Sequence, residues 1–271
     1  MLEPNNIYLG DCLDLMKYIP DKSIDMILCD LPYGTTACKW DTIIPFEPLW
    51  EQYKRIIKDN GAIVLTASQP FTSALVMSNP KMFKYEIIWE KDKASNFMLA
   101  KRQIQKYHEN VLVFYKNQCT YNPIKWDAGK VSNIGGSAPK LKKGGITGDA
   151  EIGKYNPKTT LRYPKSILKF NTPKANDKLN KCLHPTQKPV DLMEYLIKTY
   201  TQEDDTVLDN CMGSGSTIVA CINTNRKYIG IEKELKYFEI AKKRIEAVKS
   251  QLSFFDEPIA KKECEQIKIE V

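Results

Sequence analysis

The 271-residue chain has no C-x-x-C pair and only two histidines. Its eight cysteines, at 12, 29, 38, 119, 182, 211, 221 and 264, are irregularly spaced and lack the ligand spacing of a zinc site. No metal is expected. Cys29, inside the apolar run MILCD, reads as a small reduced hydrophobe, and the set suits a reducing compartment. No run approaches the ~18 consecutive apolar residues of a membrane span. The start, MLEPNNIYLGD, has neither the basic residues nor the apolar stretch of a secretory signal. A cytoplasmic protein with no membrane partner is therefore expected. Internal repeats and low-complexity tracts are absent, and no glycine turn is followed by Lys-Ser or Lys-Thr, which excludes the phosphate-binding P-loop. With 42% hydrophobic and 27% charged residues the chain is not disordered throughout; its length fits one large domain, or a core domain carrying an insertion.

Charge is unevenly placed. Residues 117–182 hold 13 Lys and Arg against 4 Asp and Glu, so a surplus of nine sits there and the rest of the chain is close to neutral. The same window is rich in glycine and proline and interleaves Tyr121, Trp126, Tyr155, Tyr163 and Phe170. A basic, turn-rich insertion with aromatic residues suits a polyanion, because each cation near a phosphate releases condensed counterions and each ring offers a stacking face.

Short β-branched or aromatic runs at 7–10, 26–29, 62–67, 85–90, 110–115, 206–209 and 228–232 alternate with helical periodicity. Leu49, Tyr53 and Ile56 share one helical face, as do Val190, Met193, Ile197 and Tyr200, and as do Leu235, Phe238, Ala241, Ile245 and Val248. This predicts an α/β fold: a seven-stranded, mostly parallel, doubly wound sheet, with 85–90 and 110–115 antiparallel because a polar link and no strong helix joins them.

Ligands bind beyond the carboxyl ends of strands in such sheets. After TVLD comes the turn Asp209-Asn210-Cys211-Met212-Gly213-Ser214-Gly215-Ser216-Thr217, then an apolar helical run, and Glu232 closes the strand YIGIE. The turn lets backbone amides approach a ligand, and the carboxylate is placed to accept both hydroxyls of a ribose. An adenosine-containing cofactor and a nicotinamide dinucleotide both fit, although Ile218 stands where the third glycine of G-x-G-x-x-G would be. Asp30-Leu31-Pro32-Tyr33-Gly34 follows the strand MILC. A carboxylate, a free carbonyl and a flat ring together are what an aromatic amino group needs. Its lone pair is delocalised into the ring, and two acceptors for its hydrogens let the nitrogen rehybridise and attack an electrophile.

With His184-Pro185-Thr186-Gln187-Lys188-Pro189, these segments resemble the amino-group DNA methyltransferases that use S-adenosylmethionine. That family's catalytic motif reads D/N/S-P-P-Y and its cofactor motif D-x-F-x-G-x-G-x-T; the order here is similar to that of its β class. The resemblance spans about residues 5 to 248. It implies a Rossmann-like core from 1–116 and 183–249, a DNA target-recognition insertion at 117–182 and a C-terminal tail at 250–271. It assigns Asp30, Leu31, Pro32 and Tyr33 to catalysis. Asp209, Cys211, Gly213, Gly215 and Thr217 go to the cofactor's methionine side, Glu232 to the ribose, and Asp11 and Cys12 to the adenine edge. His184, Thr186 and Lys188 go to the methionine carboxylate.

The implied reaction is methylation of adenine N6 in a base flipped from double-stranded DNA, in a restriction-modification setting and at the nucleoid, since aspartate at the first motif position is associated chiefly with adenine. Cytosine N4 is the alternative, as is a non-catalytic cofactor- and DNA-binding subunit; RNA or a protein glutamine are further substrates of the same motif. Cytosine carbon 5 is excluded, for the Pro-Cys pair that supplies its nucleophile is absent. Two positions depart from the pattern: Leu31 replaces a proline and Cys211 an aromatic. Candidate partners besides DNA are a second copy of the chain and the bacterial sliding clamp, whose docking peptides Gln251-Leu252-Ser253-Phe254-Phe255 resembles. Deleting 129–153 should lower DNA affinity and flatten its dependence on salt while leaving cofactor binding intact. Binding isotherms over a salt series check this.

Overall fold

The structure, a computed structural model, describes residues 1–36, 38, 41–130, 159–173 and 187–256, the last five without their side chains. The chain opens with β1 (Asn6–Leu9), α1 (Cys12–Leu15) and β2 (Ile24–Asp30). α2 (Phe46–Ile56), β3 (Ile57–Ala67), α3 (Phe71–Ser78), β4 (Phe83–Glu90) and β5 (His108–Phe114) follow. Then come β6 (Trp126–Asp127), β7 (Leu161–Arg162), β8 (Ile167–Lys169), α4 (Val190–Tyr200), β9 (Thr206–Asp209), α5 (Ser216–Asn223), β10 (Lys227–Glu232) and α6 (Leu235–Asp256). Eight strands form one sheet in the order β1-β10-β9-β2-β3-β5-β4-β8. Neighbours are parallel except at β3/β5 and β5/β4, so β5 alone runs against the other seven.

Side chains alternate across a strand, and here both faces are buried. Met26, Leu28, Val64, Val111, Val113 and Val207 point into the layer made by α4, α5 and α6. Their neighbours Ile27, Cys29, Leu65, Leu112, Phe114 and Leu208 point into the layer of α1, α2 and α3. The sheet is therefore wound on both sides, as the apolar strands predict. Polar ties fix the layers. Asp25 accepts from Lys58 Nζ at 2.6 Å and from Thr206 N at 3.0 Å, linking β2, β3 and β9. Arg55, at the end of α2, donates to the carbonyls of Ile19 and Met16, at 2.7 Å each, and closes off the loop before β2.

The seven predicted strands are all present, and 110–115 is antiparallel to 85–90. An eighth, β8, lies within the basic window and pairs in parallel with β4. Its three residues are too few for an alternation to show, and it is held by Trp89 Nε1 donating to Phe170 O at 2.9 Å and Phe170 N donating to Glu90 O at 3.2 Å. Leu235 differs from expectation. It is 60% exposed, because the part of α6 that packs begins a turn later, at Phe238. The helix also runs on to Asp256, so Gln251–Phe255 belongs to its last turns and not to a separate tail.

Residues Pro123–Ser166 make a compact unit of their own, apart from Met1–Asn122 and Ile167–Val271. Within it β6 and β7 pair antiparallel, and Trp126 Nε1 donates to Tyr163 O at 3.1 Å. Lys165 Nζ lies 4.2 Å from the Trp126 ring centre and Lys125 Nζ 4.9 Å from that of Tyr163. Tyr121 and Phe170 instead pack in the larger unit, against Tyr200 and Tyr195; Tyr155 is outside the described residues. Of the described cysteines, Cys12, Cys29, Cys119 and Cys221 are buried, Cys211 is half-buried and Cys38 exposed, all as free thiols. No described helix is long and apolar enough to cross a membrane.

Candidate active site

Because seven strands point one way, their carboxyl ends and the start of β5 meet along one edge, where a cavity of about 820 Å³ opens. Asp30 ends β2, Asp209 ends β9 and Glu232 ends β10; Thr66 and Lys91 stand at the ends of β3 and β4, and Glu109 is the second residue of β5.

Asp30 is surrounded by donors. Its Oδ1 accepts from the Tyr33 hydroxyl at 2.6 Å and from the Thr66 hydroxyl; its Oδ2 accepts from Lys188 Nζ at 2.6 Å. Lys188 Nζ is also 3.3 Å from Glu109 Oε2, whose other oxygen accepts from Lys91 Nζ at 2.8 Å. The result is a row of alternating charge: Asp30, Lys188, Glu109, Lys91. Burial alone would lower the Lys188 pKa, but the Asp30 and Glu109 carboxylates outweigh it and hold the ammonium protonated. Burial alone would raise Glu109; Lys188 and Lys91 hold it down at about 2. A carboxylate has roughly four acceptor positions. Three around Asp30 are taken, which leaves one on Oδ2. Tyr33 stacks on Phe71, with ring centres 5.2 Å apart, and burial together with the Asp30 charge pushes its phenol well up, so it stays a donor.

The other end of the cavity is built by the glycine turn. Gly213 and Gly215 have φ of 52° and 78°, values that side-chain-bearing residues rarely adopt. At Gly215 a Cβ would also stand 3.3 Å from Ala241 Cβ, whereas at Gly213 it would meet nothing within 4 Å. One glycine lets α6 close in and the other leaves open space. Glu232 is buried, and its oxygens accept backbone N–H groups, from Gly213 at 2.9 Å and Glu234 at 2.8 Å, with Lys233 N beside them. Burial raises its pKa against those bonds. Asp209 lies deeper. Burial pushes it up to about 7, although the Thr217 hydroxyl and Cys211 N donate to it. Asp11 caps α1 by accepting Leu13 N at 2.9 Å, and Lys233 Nζ reaches it at 3.1 Å. Arg244 of α6 donates to Ser214 O and Ser216 Oγ, both at 3.1 Å, and pins the turn from behind.

Of the residues singled out in the sequence, Asp30, Leu31, Pro32, Tyr33, Asp11, Cys12, Lys188, Asp209, Cys211, Gly213 and Glu232 line this cavity. Gly215 and Thr217 stand behind it, supporting the turn and Asp209. His184 and Thr186 lie outside the described residues. Cys211 sits against Cys12 and Cys29, so three thiols fill the place of an aromatic ring. Sequence reading missed Thr66, Lys91 and Glu109. Glu109 left one signal, an acid just ahead of the apolar run VLVF in its strand; Thr66 left none. Asp41 was missed too. It accepts Gly34 N and Thr35 N at 2.9 Å and Thr36 N at 2.7 Å, and so shapes the loop leaving Tyr33.

A doubly wound sheet whose glycine turn and strand-end carboxylates, Asp30 and Glu232, line one cavity has the layout of Rossmann-like folds, which bind ligands beyond the carboxyl ends of their strands. The sequence model of the DNA methylase family, N6/N4 type, matches residues 24–243, and the chain belongs to that family. Its motif order is that of the β class. It is 28% identical over 254 residues to the type II methyltransferase M1.MboII of Moraxella bovis, covering 88% of this chain and 95% of that one. It is 28% identical over 257 residues to the DNA adenine methyltransferase YhdJ of Escherichia coli, covering 90% and 83%. The crystal structure of an M1.HpyAVI-SAM complex superposes with a TM-score of 0.59 at 26% identity, covering 89% of this chain and 98% of that one.

Glu109 gives a pH test. Its pKa in the fold lies below the usual 4.5, so it contributes stability above about pH 4.5 that is lost as pH falls towards about 2. Glu109→Gln should lose roughly 2 to 3 kcal/mol less stability than the wild type on acidification through that window. Urea midpoints at about pH 6 and about pH 3 measure it; equal losses would contradict the pairing.

Proposed function

We propose that the protein transfers a methyl group from S-adenosylmethionine to the N6 amine of an adenine flipped out of double-stranded DNA. One observation carries this reading: Asp30, with three donors on its carboxylate and one acceptor position left, lines the same cavity as Glu232. The family, the name of YhdJ and the cofactor in the M1.HpyAVI complex support it. The residues fit the cofactor. Glu232 presents its carboxylate to the cavity, where a ribose hydroxyl can donate to it, and Gly213 has room where a side chain would intrude. Asp11 and Cys12 face the same space at the end of β1.

When bound, S-adenosylmethionine would supply an electrophilic methyl carbon on a sulfonium, whose carbon–sulfur bond breaks to leave a neutral thioether as the nitrogen–carbon bond forms. Asp30 Oδ2 accepts one hydrogen of the target amine, and the carbonyl of Leu31 or Pro32 accepts the other, so the nitrogen lone pair leaves the ring system and becomes nucleophilic. After the new N–C bond forms, the surplus proton on nitrogen passes to Asp30 and on to solvent. Glu109 matters to that step. Without it Asp30 alone would have to compensate the Lys188 ammonium beside a nitrogen gaining positive charge. The walls of the cavity, Tyr33 among them, hold the base edge-on to Asp30.

Target recognition falls to 117–182. Its cationic surplus supports this, as do Trp126 and Tyr163, each with a lysine over its ring and each open to solvent. The same reading puts the enzyme in the cytoplasm, at the nucleoid. Homodimer formation and clamp docking through Gln251–Phe255 extend it. The second requires the last turns of α6 to unwind. Sedimentation of the chain alone and with purified clamp tests both.

The central test incubates the protein with labelled cofactor and mixed-sequence DNA, then separates the modified nucleosides. N6-methyladenine is expected; N4-methylcytosine would replace the target, and no label would leave a binding subunit. Asp30→Ala should lower turnover ~100-fold or more, about 3 kcal/mol in the transition state, with cofactor affinity within a few-fold. Glu109 remains to partner Lys188, so the fold should survive. Glu232→Ala should do the reverse, weakening cofactor binding in calorimetry while turnover at saturation changes less.

A further inference from the structure

The hairpin between β4 and β5 turns apolar side chains outward. Phe97 is 68% exposed, Met98 85% and Ile104 94%. This is not a loose loop. Asn96 bridges it, donating to Ile104 O at 3.2 Å and accepting Lys106 N at 2.7 Å. Ser95 N donates to Lys106 O at 2.9 Å, Leu99 N to Asn96 O at 2.9 Å, and Arg102 N to Leu99 O at 2.8 Å. These bonds brace the hairpin, so the chain is held in a shape that displays these side chains. An ordered, exposed apolar tip of this kind marks a contact surface.

Two further observations say what it contacts. Residues 93–107 include Lys93, Lys101, Arg102 and Lys106 and no Asp or Glu, so an acidic protein surface or a polyanion is favoured. The foot of the hairpin is part of the cavity itself, through Lys91, Ser95 and Lys106. An apolar tip with a cationic collar beside an active site that must receive an extruded base matches the side chains that wedge between base steps.

We propose that Phe97 and Met98 enter the duplex next to the target nucleotide and occupy the gap it leaves, while Lys101 and Arg102 hold the flanking phosphates. This rests on the function proposed above and adds the element that extrudes the base. Extrusion breaks stacking on both sides of the target, and an apolar side chain in the gap offsets that loss. The wedge therefore speeds reaction of a paired target and adds little where the target is already unpaired.

The test is a Phe97→Ser/Met98→Ser double variant, whose exposed positions leave the core intact; an unchanged melting temperature checks this. Single-turnover methylation is measured on a duplex with the target base paired and on the same duplex with a mismatch opposite it. A loss of about tenfold or more on the paired duplex, shrinking to within about threefold on the mismatched one, is expected. No loss on the paired duplex, or equal losses on both, overturns the wedge. So does a variant whose only change is reduced self-association in sedimentation, which would make the tip an interface between copies. A wild type that methylates neither duplex would instead overturn the function on which the wedge rests.

Discussion

Four charges taken out of water at one edge of a sheet are tolerable only if they neutralise one another, and the row Asp30, Lys188, Glu109, Lys91 does so. Each member comes from a different stretch of chain: the end of β2, the segment before α4, the start of β5 and the residue after β4. Removing an inner member, Lys188 or Glu109, would leave an end member without its ion-pair partner, whereas removing an end member leaves the other three paired. The row thereby ties four distant stretches of chain together at the cavity. It also fixes the electrical state of the cavity. With two positive and two negative members it adds no net charge, so the field at the open position of Asp30 is set by the carboxylate nearest to it.

The glycine turn solves the opposite problem, which is to bring backbone close without filling space. Gly215 lets α6 approach, Arg244 locks the turn from the helix side, and Glu232 ties it to β10 through Gly213. Tyr53 of α2 reaches across to Asn210 at 2.7 Å from the other layer. Both helical layers thus hold the turn rigid, and a cavity with rigid walls spends little of a ligand's binding energy on ordering the protein.

Much of this was legible in the sequence because it depends on local chemistry. Apolar runs buried on both faces announce parallel strands, and Asp30-Leu31-Pro32-Tyr33, open to an ordinary turn when taken alone, points to catalysis once the glycine turn and His184–Pro189 stand beside it. What was not legible depends on pairing between distant stretches. Lys188 was read by resemblance as a partner for the methionine carboxylate; nothing in its neighbours says that Asp30 and Glu109 stand within 3.3 Å of it. Glu109 reaches the edge only because β5 reverses, which puts the start of that strand beside the ends of the others. β8 is too short to carry a pattern, and Leu235 shares a helical face with Phe238 yet lies beyond the layer that buries it. The run of α6 to Asp256 was missed because the apolar face read from the sequence ends at Val248.

The sheet order has one more consequence. The acceptor corner comes from the first part of the chain and the glycine turn from the last, and the two parts interleave in the sheet: β1 beside β10, β9 beside β2 and β4 beside β8. Connectivity between them runs through a separate compact unit, not through the sheet. The catalytic edge is thus indifferent to which half is translated first. New termini placed in that unit, with the old ones joined by a linker of suitable reach, would yield a permuted chain with the same neighbours in the sheet and the same four charges in their row.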